Sequence, residues 1–172
     1  MKREGFANQW AKSFKCDKIT SRWFMTIYLD VCCLNRPFDD STQDRIRLES
    51  EAVLTILSHG QTGKWILIKS EVVDLEISKI PDGDRRQKVA SLSSISLSSV
   101  IVDENTEKRA AELKELGFKP IDAFHIACAE KGRADVFLTT DDELLRKALQ
   151  KKGVLKVRLE NPVKWLMEEI EK

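Results

Sequence analysis

Short apolar segments alternate with helix-like segments along most of this chain, and this alternation constrains the fold more than any other feature. Residues 26–29 (TIYL), 65–69 (WILIK) and 136–139 (VFLT) have the length and composition of buried strands. Each is followed by residues with apolar positions at helical spacing. Strands that alternate with helices need crossover connections, which produce a mostly parallel sheet. Sites in such sheets lie beyond the carboxyl ends of the strands.

The remaining segments complete this alternation. Two further short strands are expected, at residues 100–102 and 155–159, and the serine-rich residues 91–99 are interpreted as a loop. Asn161 followed by Pro162 is typical of the first turn of a last helix. The other predicted helices cover residues 41–59, 71–80, 84–94, 105–116, 121–130 and 142–150.

The length of 172 residues indicates one domain, preceded by a basic segment. Residues 1–24 contain six basic and two acidic residues, a net charge of +4, so residues 25–172 carry −3 of the total of +1. This segment is interpreted either as an extension or start-site artefact, or as a basic arm for nucleic acid or a partner, with Trp10 and Trp23 as anchors. A domain is expected over residues 25–172. No apolar run reaches membrane-spanning length and no export signal is present, so we expect a cytoplasmic protein that does not contact membranes.

Several common chemistries are excluded by what the sequence lacks. The four cysteines include no CxxC pair and there are only two histidines, which argues against a zinc site. A glycine-rich phosphate loop and a GxSxG nucleophile motif are both absent. Carboxylates at unusual positions are the remaining candidates for chemistry.

Four acids lie at such positions, although each also has a purely structural explanation. Asp30 and Asp141 follow predicted strands, where aspartate also serves as a turn residue, a helix cap or a favourable first-turn charge. Glu76 lies in the apolar stripe of its helix, where a buried ion pair would explain it. Asp122 opens a helix that is apolar nearly all round, where a cap or first-turn role would explain it. His125, three residues later, is interpreted as a hydrogen-bonded core histidine, or as a residue that supports a ligand through a hydrogen bond, rather than as a metal ligand itself.

Taken together, the four acids favour a metal site. A parallel sheet with crossover helices would bring them to one edge, where clustered carboxylates repel unless a cation compensates. Oxygen ligands suit Mg²⁺ or Mn²⁺, and such an ion activates water for attack at phosphorus. Thr140 and Glu143 are also expected to form a capping box at the start of the helix over residues 142–150.

At this point the motifs resemble those of the PIN domain family, in the small prokaryotic form found in VapC-type toxins. The resemblance is carried by YLD with Asp30, by SEVVDLE with Glu76, by IDAFHIACA with Asp122 and by FLTTD with Asp141. It implies a three-layer αβα fold with a central parallel sheet of about five strands. It also implies hydrolysis of RNA phosphodiesters that depends on Mg²⁺ or Mn²⁺.

The resemblance assigns roles to individual residues. It implies that Asp30, Asp122 and Asp141 hold the metal, that Glu76 positions the metal or the attacking water, and that Thr139 orients Asp141 or a phosphate. Glu71 and Asp142 are the alternatives for Glu76 and Asp141.

The first motif departs from the family pattern, because Val31 and two cysteines follow Asp30 where a small polar residue is usual. Asn35 and Arg36, a few residues later, are the candidates for substrate contact. The function implied is the toxin of a type II toxin–antitoxin pair, with RNA as substrate, an antitoxin partner and a homodimeric state. The alternative is a non-catalytic PIN-like module that binds RNA or a protein. A weaker third option is an enzyme acting on other phosphoesters, such as structured DNA.

Overall fold

The structure is a computed structural model that describes residues 24–172. The expected basic extension, with Trp10 and Trp23, therefore lies outside the described residues apart from Phe24. Among the described helices, none combines the length and apolar character needed to cross a bilayer.

A five-stranded sheet forms the centre of the molecule, and all its strand pairs are parallel. The strand order is β3-β2-β1-β4-β5, so β1 lies in the middle with β2 and β4 on either side. This confirms the predicted central parallel sheet of five strands. The strands are β1 (Thr26–Leu29), β2 (Ile66–Ser70), β3 (Ser98–Val100), β4 (Val136–Leu138) and β5 (Arg158–Glu160).

Helices connect successive strands and flank the sheet, as the crossover argument predicts. Asn161 caps the last helix by accepting the Val163 N–H, as the sequence indicated. The helices are α1 (Val31–Asn35), α2 (Asp44–Gln61), α3 (Glu71–Ser78), α4 (Gly83–Ser93), α5 (Glu104–Glu115), α6 (Pro120–Lys131), α7 (Asp142–Gln150) and α8 (Pro162–Ile170), with a 3₁₀ helix at Arg36–Phe38.

Some predicted boundaries were wrong. The serine-rich segment is not a loop throughout, because residues 91–93 finish α4 and residues 98–99 belong to β3. The strand predicted at residues 100–102 lies at 98–100, and the one predicted at 155–159 lies at 158–160. The helix predicted from residue 41 begins at Asp44, after a turn. Helix α1 and the 3₁₀ helix were not predicted.

The core lies between the sheet and its helices, and it holds the site rigidly at the carboxyl edge. Ile27, Tyr28 and Phe137 in the two central strands are fully buried. The backbone N–H of Asp30 donates to the Leu138 carbonyl at 3.0 Å, which continues the β1–β4 pairing one residue past β1. The segments that leave β1 and β4 therefore start side by side.

Candidate active site

The four predicted acids all lie at the carboxyl edge of the sheet. Asp30 directly follows β1, and Asp141 follows β4 after two threonines. Glu76 lies on α3, which starts directly after β2. Asp122 lies in the first turn of α6, which is one of the two structural positions that the sequence suggested for it.

Asp30 is buried and is fixed by two neighbouring side chains. Its Oδ2 accepts hydrogen bonds from Thr139 Oγ1 at 2.7 Å and from the Cys32 thiol at 3.1 Å. Its Oδ1 lies 4.0 Å from His125 Nε2. A buried carboxylate normally needs a cation, but the two donors to Asp30 are a neutral hydroxyl and a neutral thiol, and His125 Nε2 is too distant for a hydrogen bond.

Thr139 connects the first and last acids of the cluster. Its hydroxyl donates to Asp30 Oδ2, and the same oxygen accepts the backbone N–H of Asp141 at 3.1 Å. The buried hydroxyl thus fixes the Asp30 side chain and the start of the Asp141 loop relative to each other.

Asp141 is the N-cap of α7, which corrects the predicted capping box. Its Oδ1 accepts the N–H groups of Glu143 at 2.8 Å and Leu144 at 3.1 Å. Thr140 is not the cap, because it precedes the N-cap residue and these N–H groups donate to Asp141. The N–H of Thr140 donates to Cys32 Sγ at 3.3 Å. One oxygen of Asp141 is committed to the helix, which orients the carboxylate at the site.

Glu76 is held by a buried histidine. Its Oε2 lies 2.5 Å from His125 Nε2, while the other ring nitrogen, Nδ1, lies 2.7 Å from the Tyr28 hydroxyl. Burial alone would lower the pKa of His125, but the hydrogen bond to Glu76 and the nearby carboxylates raise it overall. Because it is buried and both of its ring nitrogens have partners, His125 is a hydrogen-bonded core histidine, as expected from the sequence.

Asp122 is the acid whose ionisation this arrangement disfavours most clearly. Burial, followed by the charges of Asp30 and Asp141, raises the pKa of Asp122 to about 6. Within the described part of the chain, no hydrogen-bond donor reaches its carboxylate. The nearby ammonium group of Lys119 pairs instead with Glu143 at 2.6 Å. The charges of Lys119 and His125 therefore offset the burial of Asp122 and the repulsion from Asp30 and Asp141 only in part.

These donors fit a hard divalent cation. Asp30, Asp122 and Asp141 supply carboxylate oxygens, the ligands that Mg²⁺ and Mn²⁺ prefer. Among the described residues, the group whose ligand atoms all lie within 4.8 Å of one another is Asp30, Glu76 and His125, and Asp122 and Asp141 are not members of it. His125 has hydrogen-bond partners at both ring nitrogens, so Asp30 and Glu76 are the members of that group free to act as ligands.

The alternative acids are engaged elsewhere. Glu71 accepts the backbone N–H of Val102 at 2.8 Å, beside β3. Asp142 forms an ion pair with Arg45 at 2.6 Å. Neither carboxylate belongs to the cluster around Asp30.

The two candidates for substrate contact are tied into the protein. Asn35 Nδ2 donates to the Val31 carbonyl, and its Oδ1 accepts from Arg85 Nε at 2.8 Å. Arg36 forms ion pairs with Asp39 at 3.1 Å and with buried Glu49 at 2.8 Å. The structure does not leave the polar groups of these two residues free at the site.

Sequence reasoning missed the roles of Cys32 and Tyr28. A signal for Tyr28 was present, because a tyrosine inside a buried strand must find a partner for its hydroxyl. Cys32 gave no such signal, since free cysteine is common in protein cores.

Comparison with known proteins agrees with this fold. One similar solved structure is VapBC2 from Rickettsia felis, bound to a DNA fragment from the promoter, with a TM-score of 0.51 and 15% sequence identity. The match covers 80% of this chain and 98% of that chain. No curated protein matches the chain in sequence. The family model of the PIN domain matches residues 27–149, which include all four acids. The chain therefore belongs to the PIN domain family.

Proposed function

We propose that this protein is a metal-dependent endoribonuclease, the toxin of a type II toxin–antitoxin pair. The observation that carries the proposal is the position of Asp30, Glu76, Asp122 and Asp141 at the carboxyl edge of one sheet. Ligand atoms of Asp30 and Glu76 lie within 4.8 Å of each other, and burial together with the charges of Asp30 and Asp141 raises the pKa of Asp122. A structural cluster would be expected to contain its own neutralising cations, as the Arg36–Glu49 pair does elsewhere in the molecule. Carboxylates kept together without such cations are suited to binding a metal ion.

In this proposal Asp30, Asp122 and Asp141 hold Mg²⁺ or Mn²⁺, and Glu76 positions the ion or the attacking water. Such an ion, when bound, would lower the pKa of a water molecule and stabilise the negative charge that develops at phosphorus. Thr139 keeps Asp30 and the Asp141 loop in register through its two hydrogen bonds. Ordered carboxylates reduce the reorganisation needed when substrate binds.

Asn35 and Arg36 take a supporting role in this proposal. A direct contact with RNA would require Asn35 to lose its hydrogen bond from Arg85, or Arg36 to lose its ion pair with Asp39 or Glu49. We therefore assign them to bracing the segment after Asp30, whose direction fixes the first carboxylate.

The proposed partners follow from the charge of the site and from the structural neighbour. VapBC2 is bound to DNA from its promoter, and by analogy we propose an antitoxin partner for this chain. An arginine from such a partner would pair well with the acidic cluster. We also propose a homodimer and an RNA substrate, as the family resemblance implies.

The test is RNA cleavage by purified full-length protein with Mn²⁺ or Mg²⁺, compared with EDTA. Asp30→Asn and Asp122→Asn are the site variants. Asp142→Asn is the matched control, because this neighbouring acid pairs with Arg45 outside the cluster.

The proposal predicts cleavage by the wild type and the control, and none with EDTA or in either site variant. Equal cleavage by the site variants would contradict it. RNA binding by the folded wild type without cleavage of varied RNAs would favour the non-catalytic binding module instead.

A further inference from the structure

A continuous chain of hydrogen bonds runs from the core of the protein to Glu76. The Ser70 hydroxyl lies 2.6 Å from the Tyr28 hydroxyl, which lies 2.7 Å from His125 Nδ1. His125 Nε2 then lies 2.5 Å from Glu76 Oε2. Ser70, Tyr28 and His125 are buried, and only Glu76, at the end of the chain, is partly exposed. We call these four residues the Tyr28–His125 relay.

The relay joins separate elements that are each held rigidly. Tyr28 lies on the central strand β1, and Ser70 ends β2 and caps α3 by accepting the Val73 N–H. The Tyr28 ring packs edge-on against His125 and Phe137, with ring centroids 5.8 Å and 5.1 Å apart. This packing restricts the orientation of both polar rings.

The hydrogen-bond chemistry gives the relay a consistent direction. A glutamate carboxylate only accepts, so His125 Nε2 must carry the proton that it donates. Nδ1 accepts the Tyr28 O–H when the ring is neutral and donates to the Tyr28 oxygen when the ring is protonated, and Nε2 donates to Glu76 in both states. Burial holds the pKa of Tyr28 well above its usual value, so its hydroxyl keeps its proton.

The far end of the relay points to its role. Glu76 is 30% exposed on its helix, so its side chain would exchange between rotamers if nothing held it. The hydrogen bond from His125 occupies Oε2 and leaves Oε1 as the oxygen available to an ion or water.

We propose that Tyr28 and His125 are positioning residues of the nuclease reaction, which orient Glu76 through the imidazole Nε2–H. This inference rests on the proposed function, since it assigns a task within that same site. It adds two residues to the machinery beyond the four acids and Thr139. Outer partners of this kind typically change activity 10- to 100-fold when they are removed.

The first experiment measures kcat and KM on an RNA that the wild type cleaves, with Mn²⁺ present. Tyr28→Phe removes one hydroxyl and keeps the ring, while His125→Leu removes both ring nitrogens. His125→Gln retains an N–H that can reach Glu76 and is the conservative rescue. Ile56→Val, a fully buried core change on α2, controls for a general loss of packing.

The relay predicts a kcat lower by about 10- to 100-fold in Tyr28→Phe and His125→Leu, with KM for RNA unchanged. It predicts partial recovery in His125→Gln and wild-type kcat in Ile56→Val. Circular dichroism identifies any variant that fails to fold. If His125→Leu fails to fold, the kcat of Tyr28→Phe alone tests the relay. A kcat within about twofold of wild type in folded Tyr28→Phe and His125→Leu would overturn the relay and leave the proposed function standing.

A second measurement on the same protein does not depend on cleavage. Nitrogen NMR of the histidine ring, at one fixed pH, should report a protonated Nε2 in the wild type. It should also report an altered Nδ1 environment in Tyr28→Phe. A His125 ring without a proton on Nε2 would overturn the relay directly. A wild type that cleaves no RNA would overturn the proposed function, and the assignment of Tyr28 and His125 to the reaction would fall with it.

Discussion

At the scale of single residues, the acidic cluster stores electrostatic strain in the metal-free protein. Asp122 is the clearest case, because burial and two neighbouring carboxylates oppose its ionisation. Groups kept in unfavourable surroundings are typical of functional sites, where stability is given up for activity.

The first prediction is that Asp122→Asn raises the melting temperature of the metal-free protein at pH 7.5. The substitution removes a charge that burial and repulsion both disfavour. The rise in the pKa of Asp122 to about 6 corresponds to about 3 kcal/mol, but Asp122 is partly exposed and screened. We therefore expect about 1 kcal/mol, or about 2–4 °C for a chain of this size. Asp142→Asn, which loses an ion pair with Arg45, should show no increase, and an unchanged or lower value for Asp122→Asn would contradict the account.

The second prediction concerns pH. The pKa of Asp122 is raised to about 6, so the folded protein binds more protons than the unfolded chain between the usual aspartate value and about 6. The contribution of Asp122 to stability is therefore greatest below this window and is lost as pH rises through it. A metal ion competes with that proton, so stabilisation by Mn²⁺ should be small at pH 5 and larger at pH 7.

Melting temperatures with and without Mn²⁺ at the two pH values check this second prediction. The groups whose charges act on Asp122 are Asp30 and Asp141, which raise its pKa, and Lys119 and His125, which lower it. An equal Mn²⁺ effect at both pH values would show that ionisation of the cluster is not coupled to metal binding.

The positions of the four acids in the fold could be predicted from the sequence, because each acid stands at a place defined by the secondary structure. Strand ends and helix faces can be inferred from local periodicity, and they locate Asp30 and Glu76 without any long-range information. The partners could not be inferred. The hydrogen bond from Thr139 to Asp30 spans 109 positions in the sequence, and the contact of Cys32 with Thr139 spans 107. Only the folded chain brings these groups together.

At the scale of elements, prediction succeeded in the centre of the sheet and failed at its edges. The central strand β1 has the predicted bounds, because its residues form a clear apolar segment. Strands β3 and β5 lie at the two edges, where Ser98, Ser99 and Arg158 are exposed. An edge strand needs no continuous apolar run, so hydropathy misplaces it. Helix α1 has five residues, too few to show a period.

A close contact between α2 and β2 gives the third prediction. A Cβ atom added at Gly60 would lie 2.4 Å from Leu67 Cδ1 and 2.6 Å from its Cγ, in a fully packed core. Gly60→Ala should therefore lower the free energy of unfolding by about 1–3 kcal/mol, despite the better helix propensity of alanine. Urea denaturation measures this change.

Gly153→Ala is the matched control for that experiment, because nothing lies within 4 Å of the added atom. It should leave the unfolding free energy nearly unchanged. Equal effects of the two substitutions would contradict the close approach of α2 to β2.

At the scale of the whole molecule, Glu49 links parts of the chain that are distant in sequence. Its side chain is 2% exposed and receives Arg36 at 2.8 Å, Arg45 at 3.0 Å and Asn161 Nδ2 at 2.9 Å. Arg45 continues to Asp142 on α7, and Asn161 caps α8. Through these contacts, Glu49 connects the segment after Asp30 to α2 and to the two C-terminal helices, α7 and α8.

The fourth prediction is that Glu49→Ala strongly destabilises the protein. Removing one partner leaves the mostly buried Arg36 guanidinium without its ion pair to α2, which typically costs about 3–5 kcal/mol. Urea denaturation measures the loss. Glu51→Ala, on the same helix but exposed and paired with Arg47 at 3.6 Å, should change the unfolding free energy by less than about 1 kcal/mol. Similar losses of unfolding free energy in both variants would show that the contacts of Glu49 contribute no more to stability than an exposed ion pair does.

The central claim is that the acids at the carboxyl edge of the sheet form a divalent metal site, and calorimetric titration of metal-free protein with Mn²⁺ tests it most directly. The account predicts saturable binding by the wild type and by Asp142→Asn, and loss of that binding in Asp30→Asn and Asp122→Asn. Binding that survives unchanged in the folded Asp30→Asn and Asp122→Asn variants, or no binding by the wild type, would contradict it.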